Sequence, residues 1–280
     1  MSAYAYYNGH FMKKEDVKIP LTDRTVYFGD AIYDVVIGAG GRLHLGDEHI
    51  RRLLSGAKAL GYNHGYTHDF ILEIAEECIR RTGAESYLVY MQMSRSAPIR
   101  SHGAGVCDGV NLLVTVEQAP LPKKSGGIRL LSKEDKRYGF CNIKTVNLLP
   151  AVIYSTEAEA LGYDETVLVR GGYVTECAHS NISILKDKLL YTHPLNNRIL
   201  PGITRAELIN VCHSLGIECR ELPFTLPDLL LADDVIVTST TKLVRRATEL
   251  DGVKLKEGSS LFSKIEEVMF ERLLCQLYKG

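Results

Sequence analysis

Apolar positions along the chain follow two rhythms, one of period two and one near three and a half, and the mixture changes midway. Residues 3–8 and 10–12 read as a short hairpin turning at Asn8-Gly9. The run DAIYDVVIGAGGRLHL reads as two strands joined by Gly38, Gly40 and Gly41. In EHIRRLLSGAKALGY, the apolar residues Ile50, Leu53, Leu54, Ala57 and Leu60 have helical spacing, and Gly61 is a natural stop. A second amphipathic helix is predicted over about 68–81, with Phe70, Ile71, Ile74, Cys78 and Ile79 on one face. SYLVYMQMS and GVNLLVTVE are rich in strand formers.

The segment APLPKKSGG, with two prolines, two lysines and two glycines, interrupts both rhythms and reads as a linker. Beyond it, GIRLLS, DETVLVRGGYVTE, ISILKDKLLYTH and DDVIVTSTT read as strands. LLPAVIYSTEAEALG, TRAELINVCHSLG and SLFSKIEEVMFERLLCQLY read as helices. This order predicts an α+β fold in two domains rather than a strict βαβ series. The expected boundaries are an N-terminal domain at 1–119, a linker at 120–127 and a C-terminal domain at 128–280. A small-molecule site between the two is the default expectation.

Composition narrows the function classes. The 280 residues are 45% hydrophobic and 24% charged, with a formal net charge of −1. That balance gives no footprint for nucleic acid or an anionic membrane. The apolar runs fall far short of a membrane span, and MSAYAYYNGHF has no secretory pattern. Seven cysteines, without CxxC spacing, argue against a disulfide framework or a structural zinc site. No metal site is expected, and reduced thiols point to the cytoplasm. Cys177 reads as a small buried filler rather than a nucleophile.

Four features in a fixed order carry candidate chemistry. Lys144, in NIKTVNLLPAV, has apolar flanks and reads as the end of a strand just before a helix. Alone it would be a solvated lysine; partial desolvation there would expose a nucleophilic amine able to form a Schiff base. Glu176 follows 32 positions later in VTECAHSN. Alone it reads as a strand-end carboxylate or a helix cap; the alternative is an anion facing a protonated ring nitrogen, with Ser180 and Asn181 orienting the carboxylate or the ring hydroxyl. LPGITRAEL places Gly202 in a turn before a helix starting near Thr204, where unpaired N–H groups suit a phosphate and Thr204 is otherwise an ordinary cap. TSTT adds the hydroxyls of Ser239, Thr240 and Thr241, and Arg52 on the first long helix offers a guanidinium fork. An amine, a ring-facing anion and a phosphate cup are what pyridoxal phosphate requires of a protein. Finally, Arg100 and His102 in APIRSHG lie two apart in a loop, so both can point one way as a carboxylate trap or remain a solvated basic loop.

Nearly end to end, the chain resembles the fold-type IV pyridoxal-phosphate enzymes, the class of D-amino-acid and branched-chain aminotransferases and aminodeoxychorismate lyase. The resemblance runs through YFGDAIYDVV, HLGDEHIRRL, NIKTVNLLPAV, GYDETVLVRGGYVTECAHSNIS, YTHPLNNRILPGITR and VIVTSTT. It implies a two-domain fold with the cofactor, pyridoxal 5'-phosphate, between the domains, the C-terminal one binding it. It implies Lys144 as the Schiff-base lysine, Glu176 as ring-nitrogen partner, and Arg52, Ile203, Thr204 and Thr240 around the phosphate, with Leu200 against the ring. The Arg100–His102 pair is similar to that of D-amino-acid aminotransferases. There the pair reaches across a homodimer and a tyrosine, here Tyr33, joins from the same subunit. The expected activity is transfer of an amino group between D-alanine and 2-oxoglutarate. Branched-chain L-amino-acid or amine transamination, aminodeoxychorismate lysis, and a non-catalytic cofactor-binding role are the alternatives. His179 departs from the serine of that group and is expected to alter the lysine's surroundings or substrate tolerance. In KLVRRAT a surface face is expected, with contact from Arg245 or Arg246 to an acidic substrate as the alternative; Ile37 is a candidate for an apolar side-chain pocket.

Overall fold

The structure is a computed structural model that describes residues 3–124 and 126–279. Ser125 of the expected linker lies outside the described residues. The chain divides into two compact units. The first takes residues up to Leu121, Ile143–Asn147 and the C-terminal stretch from Cys275; the second takes Pro122–Asn142 and Leu148–Leu274.

In the first unit, β1 (Tyr4–Tyr7) and β2 (His10–Lys13) pair from Tyr4↔Lys13 to Tyr7↔His10. Asn8 and Gly9 between them have φ of 44° and 94°, the left-handed pair that a tight two-residue hairpin needs. There follow α1 (Arg24–Phe28), β3 (Ala31–Ala39), β4 (Arg42–Leu43), α2 (Gly46–Ala59), α3 (His68–Thr82), β5 (Ser86–Ser96) and β6 (Gly109–Gln118). The sheet is antiparallel with order β2-β1-β6-β5-β3-β4. Gly38, expected in the joint, lies inside β3 opposite Tyr87, and the turn itself is Gly40-Gly41. Ile50, Leu53 and Ala57 of α2 and Ile71, Ile74 and Cys78 of α3 bury against Ile32, Val36, Met91 and Val114 of the sheet. Burial of each large side chain contributes about 1.5–3 kcal/mol before entropy is counted. Alternation along β3 therefore turns Ile32, Asp34 and Val36 toward the helices and Tyr33, Val35 and Ile37 to the other face.

The Lys144 segment is not the strand end that its apolar flanks suggested. It runs as an irregular stretch beside the start of β3, bridging at Ile32–Thr145. Tyr33 N donates to Lys144 O at 2.9 Å and Val146 N to Ala31 O at 3.1 Å. These bonds satisfy the part of the β3 edge that the two-residue β4 leaves open.

The second unit holds β7 (Ile128–Glu134), α4 (Leu149–Ala160), β8 (Glu165–Arg170), β9 (Tyr173–Cys177), β10 (Asn181–Lys186), β11 (Leu189–Thr192), α5 (Ile203–Ser214), β12 (Cys219–Glu221) and α6 (Leu226–Leu231). After them come β13 (Asp234–Ser239), β14 (Leu243–Leu250), β15 (Val253–Lys254) and α7 (Ser260–Tyr278). The strand order is β12-β11-β10-β13-β14-β7-β8-β9, with β15 on β14. The β11–β12, β14–β7 and β7–β8 pairs are parallel and the remainder antiparallel. Mixed pairing with helices packed on both sheets is the expected α+β class. KLVRRAT, expected as a surface face, enters β14 after Lys242, with Leu243, Val244 and Ala247 buried. Arg245 and Arg246 there donate to the backbone carbonyls of Gly126 and Lys256 at 2.9 and 2.8 Å. Among the described residues no helix is long and apolar enough to cross a membrane.

Candidate functional site

Within the first unit, Lys144 is half-buried and its Nζ lies 4.5 Å from the centroid of the Tyr33 ring, a cation–π distance. Tyr33 stacks in turn on Tyr90 at 5.5 Å. The opposite, helix-facing side of β3 carries an ionic cluster that the sequence reading overlooked. Arg52 donates from Nε and Nη2 to the two oxygens of Asp34, both at 2.8 Å. His49 Nδ1 meets Asp34 Oδ1 at 2.7 Å. Asp34 is fully buried; burial alone would raise its pKa, but the Arg52 charge and the His49 hydrogen bond hold it well below the usual carboxylate range. Burial lowers the pKa of His49 despite Asp34, so it serves as a neutral imidazole donating its Nδ1 proton. The pair fixes the Arg52 fork before any ligand arrives. A signal for it existed: an aspartate at a helix-facing position of an apolar strand demands a cation.

Arg100 and His102 are brought together on one ring. Arg100 Cζ lies 5.0 Å from the Phe28 centroid and 5.6 Å from that of Tyr27, and the His102 ring is 5.2 Å from Phe28. Both side chains are exposed in the single chain. Phe28 ends α1, which Asp23 caps by accepting from Thr25 N at 2.8 Å. Gly29 ends the helix with φ of 60°, and a Cβ there would sit 2.5 Å from Asn147 Oδ1. Ile37 is buried and shares the Tyr33 face of β3.

Within the second unit, Glu176 is the penultimate residue of β9 and is buried. Its Oε2 accepts from Asn181 Nδ2 at 2.9 Å and Leu200 N at 3.0 Å, and its Oε1 from Arg137 Nη1 at 2.5 Å. Three donors on two oxygens suit a carboxylate anion. Arg137 also clasps Asp135 through Nε and Nη2 at 3.0 Å each. Burial would raise the Asp135 pKa, but these hydrogen bonds and the Arg137 charge lower it; burial would lower that of Arg137, but the two carboxylates raise it. Arg137 was not singled out in the sequence, since nothing local in KEDKRYGF marks a partner lying 39 residues away.

Of Ser180 and Asn181, expected to orient either the carboxylate or the ring hydroxyl, Asn181 is the one that contacts Glu176. Ser180 donates to the fully buried Glu165 at 2.7 Å, and His179 Nε2 lies 3.1 Å from the same carboxylate. Cys177 is buried and its thiol is pushed well above the ordinary range by burial, as fits a filler.

Gly202 is the N-cap of α5, which begins at Ile203, so Thr204 is the second helical residue and not the cap. A Cβ at Gly202 would overlap Asn181 Oδ1, so glycine lets the helix start close against the residue that holds Glu176. No side chain caps this helix, and its first N–H groups are free of a cap bond. Asn181 also donates to Leu200 O at 3.0 Å, tying the approach of α5 to the Glu176 cluster. Ser239 ends β13 and Thr240 and Thr241 form the turn into β14, while α5 packs on both strands. Thr238, opposite Asn181 in the β10–β13 register, has a buried hydroxyl oxygen without a hydrogen-bond partner among the described residues. A fixed anion able to accept from a ring N–H, with an uncapped helix start crowded against it and a turn of hydroxyls able to donate to phosphate, fits a phosphorylated pyridine ring.

The chain matches the amino-transferase class IV family over residues 31–250. It is 34% identical over 256 residues to a D-alanine aminotransferase of Listeria monocytogenes serotype 1/2a (strain 10403S), covering 90% of this chain and 89% of that protein. It is 32% identical over 259 residues to the D-alanine aminotransferase of Bacillus licheniformis, with 90% of each covered. Among solved structures, a branched-chain aminotransferase of Thermoproteus uzoniensis with norvaline superimposes with a TM-score of 0.92 at 24% identity, covering 100% of this chain and 97% of that one. The branched-chain amino acid aminotransferase of Escherichia coli gives 0.88 at 23% identity, covering 98% and 95%. The structural likenesses establish a shared fold, and with the sequence matches they show that the chain belongs to the class IV aminotransferases, of fold type IV.

Proposed function

We propose that this chain is a pyridoxal-phosphate-dependent D-amino-acid aminotransferase, moving the amino group of D-alanine to 2-oxoglutarate as a cytoplasmic homodimer. The observation that carries this reading is the gathering of Arg100 and His102 on the single ring of Phe28. A guanidinium and an imidazole that share one aromatic ring can serve as a two-point receptor for a carboxylate. Likeness to D-alanine aminotransferases at 32–34% identity supports the same substrate class.

Pyridoxal phosphate, when bound, supplies an aldehyde carbon for the amino group and a ring that accepts electrons from substrate Cα. Lys144 would carry the covalent link and, once displaced, take the proton from Cα at its Nζ. The Tyr33 ring limits where that amine sits. Glu176, held by Arg137, Asn181 and Leu200, would keep the ring nitrogen protonated. The first N–H groups of α5 at Ile203 and Thr204, the Thr240 hydroxyl and the Arg52 guanidinium would hold the phosphate, with Leu200 against the ring. Asp34 supports that role by fixing Arg52 in advance.

The homodimer is supported by apolar surface on each unit. Val26, Tyr27 and Ile99 are exposed in the first, and Leu149, Val152 and Ile153 form an exposed stripe on α4 in the second. Surfaces of this kind are normally covered by a partner. In the dimer, Arg100 and His102 of one subunit would serve the other subunit's site, beside its Tyr33. The seven cysteines are unpaired, which supports a reducing compartment. The test is a coupled assay for pyruvate formed from D-alanine and 2-oxoglutarate. Pyruvate formation dependent on both substrates is expected; its absence in cofactor-loaded protein would reject the assignment.

A further inference from the structure

Beneath the Arg100–His102 loop lies an ion cluster that belongs neither to Lys144 nor to the Glu176 group. Arg24, the first residue of α1, is buried with its side chain only 5% exposed. Its Nε donates to Asp30 Oδ2 at 2.7 Å, its Nη2 to the backbone carbonyl of His102 at 3.0 Å, and its Nη1 to the carbonyl of Ser101. All three guanidinium nitrogens are therefore engaged inside the protein. The same guanidinium lies 4.6 Å from the centroid of Phe28, the ring on which Arg100 and His102 rest.

Asp30 is itself anchored from a second side. Arg95 donates to it from Nη2 at 2.7 Å and from Nε at 2.9 Å, while Arg95 Nη1 reaches Leu60 O at 3.2 Å. The Tyr62 hydroxyl also donates to Asp30, at 3.2 Å. Burial would raise the Asp30 pKa, but Arg95 and Arg24 together lower it, so the cluster is charged at neutral pH. One carboxylate thus ties α1 to β5 and to the end of α2.

We infer that Arg24 is the positioning residue of the substrate-carboxylate trap: it grips the two carbonyls of the loop that carries Arg100 and His102 and, with Phe28, sets where their side chains stand. The inference rests on the reading of Arg100 and His102 as that trap. Three facts favour positioning over plain stability. The contacts to the loop are to backbone carbonyls of Ser101 and His102, which flank or bear the trap side chains. The loop has no sheet ladder of its own between β5 and β6 to fix it. Phe28 is shared by Arg24, Arg100 and His102, so a shift of α1 moves all of them together. A lysine could replace the charge beside Asp30 but not the fork that reaches two carbonyls at once. Because Asp30, Ser101 and His102 occupy all three of its guanidinium nitrogens, Arg24 acts through the loop, and its removal should alter binding of the carboxylate and leave proton transfer at Lys144 largely intact.

The experiment is steady-state kinetics with D-alanine on the cofactor-loaded dimer, comparing Arg24→Lys, Arg100→Ala/His102→Ala, and the two combined. Arg24→Lys is expected to raise KM about tenfold with kcat within about threefold, the scale of one charge-assisted contact misplaced. In the Arg100→Ala/His102→Ala background, Arg24→Lys should change KM by less than about twofold, because the loop then carries nothing to position. Phe28→Leu, which keeps every hydrogen bond of the cluster, should raise KM in the same non-additive way and stands in should Arg24→Lys not fold. A KM rise in Arg100→Ala/His102→Ala with none in Arg24→Lys or Phe28→Leu would overturn the positioning role while leaving the trap intact. Effects that multiply would also overturn it, placing Arg24 outside the trap. No KM change in Arg100→Ala/His102→Ala would instead remove the trap reading on which the inference stands.

Discussion

Asn181 Nδ2 donates to Glu176 Oε2 at 2.9 Å, while the Oδ1 of the same amide occupies the space a side chain at Gly202 would need. The start of helix α5 and the orientation of Glu176 are thereby set by one asparagine. In the proposed enzyme these are the phosphate end and the ring-nitrogen end of the cofactor site.

Gly202→Ala should consequently damage both. Asn181 is pinned by two hydrogen bonds and cannot swing aside freely. Overpacking there should destabilise the protein by about 1–3 kcal/mol. Pyridoxal phosphate affinity should fall as well. Thermal unfolding of the apoprotein and a cofactor titration read the two effects; a variant with wild-type values in both would show that the contact is of no consequence.

Glu176→Gln is nearly isosteric but not neutral. Arg137, Asn181 and Leu200 all present donors, and a glutamine would turn its own N–H₂ donor toward at least one of them. A destabilisation of about 1–3 kcal/mol is expected. Turnover should drop by orders of magnitude while cofactor still binds, because the anion beside the ring is gone. Wild-type turnover would mean that Glu176 does not partner the ring.

Acid should weaken the fold before the carboxylates titrate. Burial, reinforced by His49 once that ring is itself protonated, pushes the His44 imidazole down to about 4 from 6.5. Between those values the unfolded chain takes up a proton that the folded chain refuses. Stability therefore falls as pH drops through that window, by at most about 1.4 kcal/mol per pH unit. Asp30, Asp34 and Asp135, whose pKa values are lowered in the folded state, contribute stability that is present above the ordinary carboxylate range and lost below it. Urea unfolding from pH 7 to 4 should show the slope, and His44→Gln should flatten it. An unchanged slope in His44→Gln would assign the effect elsewhere.

Subunit exchange tests the proposed origin of the trap. An Arg100→Ala chain should lose D-alanine binding by about 1.5–3 kcal/mol, and a Lys144→Ala chain should be inactive. In a mixed dimer, the site with intact Lys144 would receive its trap from the Lys144→Ala chain, and activity should partly return. Verified heterodimers without recovery would mean that Arg100 does not serve the neighbouring site.

How much of this was legible in the sequence depends on the range of the interaction. The helices α2 and α3 and the strands β5 and β6 follow apolar periodicity, which is local, and were read to within a few residues. Gly202, Lys144 and Glu176 were visible as motif members, but their surroundings were not. Arg137 reaches Glu176 across 39 residues and Arg24 reaches His102 across 78, and no periodicity encodes such pairs. The helix α1 has only five residues, too few for a repeat to show. In β14 the buried positions do not alternate, because the strand carries arginines that bond loop carbonyls, and charge there was misleading. The α6 helix did carry a readable signal, the Thr225–Asp228 capping box, which passed unnoticed among prolines and leucines.

The most direct test of the central claim is a single half-reaction with each enantiomer. Cofactor-loaded protein is mixed with D-alanine, L-alanine or L-leucine, without a 2-oxo acid, while the visible absorbance of the cofactor is followed. The account predicts that D-alanine abolishes that absorbance and releases one equivalent of pyruvate per site, and that neither L-amino acid does so at a comparable rate. Rapid loss of absorbance with L-leucine and none with D-alanine would contradict it.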